Sequence, residues 1–248
     1  MNPAEFENIA RAEETMWWYR GMQRILFRAL DPYLAGQTVE RVLEAGCGTG
    51  YFATVLEKRY RWRVHAIDLG AAGVRRARVR GLHSVSQADV SRLPFADAAF
   101  DAVFSMDVLP HFPAGEEDAP LQEMSRVLRP GGLLVLRAAA WRALRSRHSQ
   151  FVEERQRYRR GPLARAIERH GVRVLRSTYA NSFLLPVALF KFRVWEPLTR
   201  ARPASGVGPV PALLNSLLHL PLALEAGLIG AGVNLPAGQS IVIIGRKQ

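Results

Sequence analysis

The segment VLEAGCGTG at residues 42–50 constrains this chain more than any other. A short apolar run leads straight into glycines on alternate positions, Gly46, Gly48 and Gly50, and a helical pattern follows. Glycines at a tight turn carry no Cβ, so backbone can approach a ligand closely, and the helix beyond offers unpaired N–H groups. A dinucleotide-binding turn would space its glycines G-x-G-x-x-G. Here residue 51 is a tyrosine, the third glycine falls one residue early, and Glu44 precedes the turn. That spacing points away from a pyrophosphate site.

The surroundings of this loop set the fold class. Short, continuously apolar runs at 41–44, 63–67, 83–86, 102–105 and 133–137 alternate with helical patterns near 50–58, 71–80 and 120–128. Such strands suit a parallel sheet covered on both faces, and the βαβαβ rhythm predicts a doubly wound α/β fold. Residues 3–35 read as helical, with a Trp17-Trp18-Tyr19 cluster and a stop at Asp31-Pro32. Further on, Gly161-Pro162 opens a helix that Gly171 closes, and a strand follows at 172–175. Then come an apolar passage at 182–195, a Pro/Gly/Ser linker at 201–211, an apolar helical run at 212–229 and a last strand at 241–244. Pro186, Asn215, His219, Pro221 and Glu225 interrupt the two apolar stretches, so neither reads as a membrane-spanning helix. The expected organisation is a helical cap at 1–36, a core at 37–140, and a region at 141–248 packed on the same domain.

Charge is unevenly placed. The chain carries +12 overall, yet residues 37–136 balance 12 basic against 12 acidic side chains. Residues 137–176 hold 12 arginines against three glutamates. A block this local reads as one face or lid that attracts an anionic substrate, since arginine favours carboxylate or phosphate. Cys47 is the single cysteine, which excludes a disulfide framework and thiolate-rich metal clusters. The acidic amino-terminal sequence has no apolar leader pattern, so a cytoplasmic location is expected.

Two further acids sit where the rhythm places strand ends. Asp68, followed by Leu69, ends the second strand and can accept from both hydroxyls of a ribose. Asp89, followed by Val90, comes after the third and can bind an adenine edge. FDAVFSMDVLPHF (100–112) and LRPGGLLVL (128–136) supply strands four and five.

In order and spacing, residues 37–140 resemble the class I S-adenosylmethionine-dependent methyltransferases. MWWYRG (16–21) and the carboxy-terminal pattern resemble a bacterial subgroup akin to the type 11 group. The resemblance implies a seven-stranded, mostly parallel sheet with an amino-terminal helical cap and a carboxy-terminal apolar helical insertion. It implies that Glu44, Gly46, Cys47, Gly48 and Gly50 hold the methionine end of S-adenosylmethionine. Asp68 and Leu69 then take the ribose, Asp89 and Val90 the adenine, and Met106 lies beside the methionine moiety. It also implies S-adenosylhomocysteine as product, and no H-x-x-x-H spacing or carboxylate cluster points to a metal. Relatives commonly carry an aspartate after the residue matching His148, where this chain has Ser149.

Trp18 is a candidate to face the cofactor's sulfonium, since cations are drawn to aromatic faces, and Arg20 to pair with a carboxylate. If the acceptor must lose a proton, His148, His111 and Tyr19 are the candidate bases, in that order. His170 reads as a dipole partner at a helix end. The expected reaction is methyl transfer to an O, N or C nucleophile of a small apolar or amphipathic molecule, a biosynthetic intermediate held against residues 183–198 and 210–230. Its rivals are an RNA methyltransferase using the arginines, against which the lack of interleaved aromatics speaks, and a cofactor-binding cyclase or binding protein that transfers no methyl. Peripheral membrane contact is a further option for the apolar segments.

Overall fold

The computed structural model describes residues 3–199 and 202–248. Met1 and Asn2 of the cap and Ala201 of the expected linker lie outside the described residues. Seven strands form one sheet in the order β3-β2-β1-β4-β5-β7-β6. They are β1 (Arg41–Ala45), β2 (Arg63–Asp68), β3 (Val85–Gln87), β4 (Phe100–Met106), β5 (Leu128–Ala139), β6 (Val172–Ala180) and β7 (Ser240–Lys247). β1 pairs in parallel with both β2 and β4, while β7 runs antiparallel between β5 and β6. The chain reverses its winding direction at β1 and β4, where crossovers to either side leave a crevice at the carboxyl ends of the strands.

Ten α-helices are described. They are α1 (Pro3–Ala12), α2 (Trp17–Leu34), α3 (Tyr51–Tyr60), α4 (Ala71–Val79), α5 (Asp118–Val127), α6 (Arg147–Phe151), α7 (Arg160–Arg169), α8 (Leu185–Phe190), α9 (Glu196–Thr199) and α10 (Ala212–Gly230). Lys191–Trp195 winds as a π-helix between α8 and α9. β4 is buried from Phe100 to Ser105, as a central strand covered on both faces must be. Met22, Ile25, Leu26, Ala29 and Leu30 recur on one side of α2 and are buried there.

Several expectations are corrected. Pro32 does not stop α2, which runs on to Leu34. Pro221 does not interrupt the apolar run either: α10 is one 19-residue helix, long and apolar enough by composition to cross a membrane. A proline inside a helix removes one hydrogen bond. Burial of Leu222, Ala226 and Ile229 outweighs that loss. The arginine block is not one face. Arg137 lies in β5, Arg147 in α6, Arg160 and Arg169 in α7, and Arg176 in β6.

Most of those arginines have work inside the protein. Arg145 donates to the Glu154 carbonyl and Arg157 pairs with the Glu154 carboxylate. Arg169 pairs with Asp118, as does His170 at 3.0 Å, so this histidine has a specific partner besides a helix end. Arg176 is buried and donates to the Ile229 and Val233 carbonyls and to Asn234 Oδ1. It adds to the Gly232 N–H on the Ile229 carbonyl and ties the turn after α10 to β6.

Candidate active site

The glycine loop forms because β1 must turn sharply into α3. Gly46, Gly48 and Gly50 all have positive φ, a region side chains disfavour. Their spatial demands differ. A Cβ on Gly46 would lie 2.2 Å from the Val108 side chain, and one on Gly50 would lie 2.6 Å from Ala77. A Cβ on Gly48 would meet nothing within 4 Å. Packing dictates the outer two glycines, and Gly48 alone borders open space.

Asp68, the acid expected at the end of the second strand, lies against that space. Asp68 Oδ2 accepts from the Gly48 N–H and Oδ1 from the Gly70 N–H, each at 2.8 Å. Burial raises the Asp68 pKa, and these two donors oppose the rise. Each carboxylate oxygen keeps a second acceptor position for a hydroxyl. Glu44 is buried, and its Oε2 has no partner among the described residues. Burial, reinforced by nearby Asp68, pushes its carboxyl well above the usual range. An ammonium group is what such an orphaned oxygen would accept. At the next strand end Leu69 and Asp89 are exposed and Val90 is buried, while Gln87 donates to the Leu69 carbonyl. Asp89 Oδ1 takes the Ser91 N–H and hydroxyl, which fixes the turn and leaves Oδ2 outward. The loop, the acid pair and the open surface fit the methionine, ribose and adenine parts of S-adenosylmethionine. Cys47 is buried, and burial raises its thiol pKa, so it stays protonated and fills space.

The helical cap closes the other side. Glu13 Oε2 accepts from the Thr49 hydroxyl at 2.5 Å, and Arg80 pairs with the same carboxylate. The Phe6 ring lies against Gly70 and Gly73. Trp18 and Tyr19 meet edge to face at 5.0 Å. Arg137 stacks over Trp18 at 4.9 Å and forms an ion pair with Asp107 at 2.6 Å. Sequence reading missed Arg137, Asp107, Glu13 and Phe6 as site residues. The signal within reach was Asp107, directly after strand four; its partner thirty residues on had none.

The candidate bases sit in unlike settings. Burial holds the Tyr19 phenol well above its ordinary range, and the carboxylates of Glu13, Glu5 and Asp107 reinforce it against Arg137. Tyr19 is thus a donor at neutral pH. His148 Nδ1 accepts from the Gly206 N–H at 3.0 Å, which places its proton on Nε2. Its lone pair is already engaged. His111 is the exception: burial lowers its pKa, the Glu153 backbone takes one nitrogen, and Nδ1 has no partner among the described residues. Ser149 is buried and serves structure, sharing a capping box with Ser146 and accepting from Arg157. Arg20 is exposed. Phe190 and Trp195 lie open on the surface rather than lining an enclosed pocket.

Known proteins resemble this chain across the glycine loop and the strands around it. Residues 43–136 match the family described as a methyltransferase domain. Over 102 residues the chain is 38% identical to the malonyl-[acyl-carrier protein] O-methyltransferase of Serratia marcescens, covering 41% of this chain and 39% of that protein. Over 98 residues it is 41% identical to the fatty-acid O-methyltransferase of Mycolicibacterium smegmatis, covering 38% and 35%. The chain thus spans well under half the length of these curated relatives. The geranyl diphosphate C-methyltransferase of Streptomyces coelicolor A3(2) has the same fold, with TM-score 0.57 at 17% identity over 88% of this chain and 77% of that one. Residues 43–136 thus carry the match to a methyltransferase domain, on a fold shared with solved methyltransferases.

Proposed function

We propose that the protein transfers a methyl group from S-adenosylmethionine to a nucleophilic atom of a small apolar or amphipathic molecule, a lipid or natural-product intermediate. The observation that carries this reading is the open space at Gly48, whose N–H is held by the Asp68 carboxylate. When bound, S-adenosylmethionine supplies an electrophilic methyl on a positively charged sulfur. The protein supplies alignment and exclusion of water, and alignment alone can lower a barrier by roughly 7–11 kcal/mol. Glu44 meets the cofactor's ammonium and Asp68 its ribose hydroxyls. Trp18 and Tyr19 wall the reacting end, and Arg137, held by Asp107, offers a cation to a carboxylate there. If the acceptor must lose a proton, His111 is the base this reading assigns, its buried Nδ1 having no partner among the described residues.

An apolar or amphipathic acceptor goes with the balanced charge around the loop and with arginines committed to internal partners. That commitment counts against RNA as substrate, because phosphate binding needs those cations free. The relatives named are bacterial, and a cytoplasmic, biosynthetic role goes with this reading. Titration calorimetry with S-adenosylmethionine and S-adenosylhomocysteine tests the cofactor half, and absence of binding by both overturns it. Incubation with methyl-labelled S-adenosylmethionine and a bacterial polar lipid extract should move label into the organic phase. Label that appears only in added RNA overturns the acceptor class.

A further inference from the structure

α10 has two faces, and only one of them is needed by the fold. Leu222, Ala226 and Ile229 point inward and are buried. On the opposite side Leu213, Leu217, Leu220, Leu224 and Leu228 recur at spacings of four and three, which sets them along one stripe. They are 74%, 53%, 58%, 67% and 40% exposed. Isolated exposed leucines need no explanation, but a continuous row of five does.

The flank of this stripe is basic. α10 lies along α2, with Leu222 against Gly21 and the stem of Arg28 against Gly230. Arg20, Arg24 and Arg28 fall one helical turn apart on α2 and are all exposed. Among the described residues no carboxylate pairs with them. The acids on these two helices are committed elsewhere: Glu225 is buried and accepts from the Ser182 N–H, and Asp31 pairs with Arg59. The next segment repeats the chemistry, with Val187, Phe190, Val194 and Trp195 exposed beside Lys191 and Arg193.

We propose that the α10 leucine stripe and the α2 arginine row dock this protein on an anionic lipid bilayer, with α10 lying in the interface plane. The core-facing side of α10 is built into the fold, so the helix lies on the membrane rather than crossing it. Leucines enter the acyl boundary while the arginines meet headgroup phosphates, the arrangement of an interfacial amphipathic surface. A second copy of the chain is the poorer occupant. A two-fold contact through the stripe would bring two arginine rows together with no free carboxylate to pair them. The stripe begins beside the site, where Asn215 accepts from the Trp17 N–H at 2.7 Å and donates to the Thr15 carbonyl. A bilayer-resident acceptor would reach Trp18 and Tyr19 without leaving the surface. This last step rests on the proposed methyl transfer; the docking itself does not.

Co-sedimentation of the full chain with phosphatidylglycerol vesicles and with phosphatidylcholine vesicles tests it. Binding is expected to the first, falling as salt rises, with little to the second. Each basic residue at an anionic surface is worth about fivefold in partitioning, so Arg24→Gln with Arg28→Gln should lower it about 25-fold. Leu217→Ser with Leu224→Ser should abolish it, with S-adenosylhomocysteine affinity unchanged to show that the site is folded. No pelleting with phosphatidylglycerol at low salt overturns the proposal. So does a dimer in light scattering that Leu220→Arg converts to a monomer. Vesicle binding without any cofactor binding would overturn the proposed methyl transfer and leave the docking standing.

Discussion

Asp68 Oδ2 accepts the Gly48 N–H at 2.8 Å, so the acid at the end of β2 holds the loop that follows β1 in shape before any ligand arrives. The carboxylate both forms the cradle and offers acceptor positions within it. Asp68→Asn should therefore lower S-adenosylhomocysteine affinity by about 10–100-fold, the worth of a hydrogen bond to a charged group. Calorimetry reads this directly, and an unchanged Kd would remove Asp68 from the site.

Gly48 and Gly50 should fail differently. Gly48→Ala places a methyl in open space at φ +56, at a conformational cost of about 1 kcal/mol, while obstructing the ligand. Gly50→Ala places one 2.6 Å from Ala77 and 2.7 Å from Leu82. Overpacking of that kind costs about 1–3 kcal/mol. Gly48→Ala should thus lower affinity far more than Tm, and Gly50→Ala should lower Tm more.

Docking of α1 should depend on pH through Glu13. Burial raises its carboxyl from 4.5 to about 7, with Thr49 and Arg80 opposing. A folded-state pKa above the unfolded value means the folded form binds more protons between them. The docked cap is then most stable below pH 4.5 as far as Glu13 is concerned, and loses that contribution as pH rises through about 7. Hydrogen exchange across residues 5–12 should quicken over that interval. Glu13→Gln should flatten the profile, and an unchanged profile would place the titration elsewhere.

Arg176→Met should destabilise the protein by about 2–4 kcal/mol, because the Val233 carbonyl and Asn234 Oδ1 lose their buried donor and the Ile229 carbonyl keeps only the Gly232 N–H. For a chain of this size that is a Tm lower by roughly 5–15 °C. Scanning calorimetry checks it.

The strands and their acids were legible because local pattern determines them. β1, β2 and β4 are mostly apolar and buried, Asp68 marks the end of β2, and Asp89 follows β3. Contacts across the sheet carried no such mark. Arg137 was read as part of a charge block, yet it pairs with Asp107 across β4 and β5, and nothing local distinguishes it from Arg142. Pro221 was read as an interruption because local propensity ignores α2, whose Gly21 admits Leu222. Glu13 and Thr49 stand thirty-six positions apart, and only the cap's return over the loop joins them.

The antiparallel seat of β7 between β5 and β6 has a consequence during translation. β5 is complete at Ala139, but the strand that covers its edge ends at Lys247. At 5–20 residues per second the ribosome takes about 5–20 s to make the intervening length. For that interval the nascent chain shows a long, apolar strand edge to its surroundings, and β6 emerges with no neighbour to join. Such an edge is a template for pairing with another chain. The sheet closes only after Ile241–Ile244 arrive, so the burden of keeping this protein unaggregated falls on the unfinished polypeptide and its chaperones.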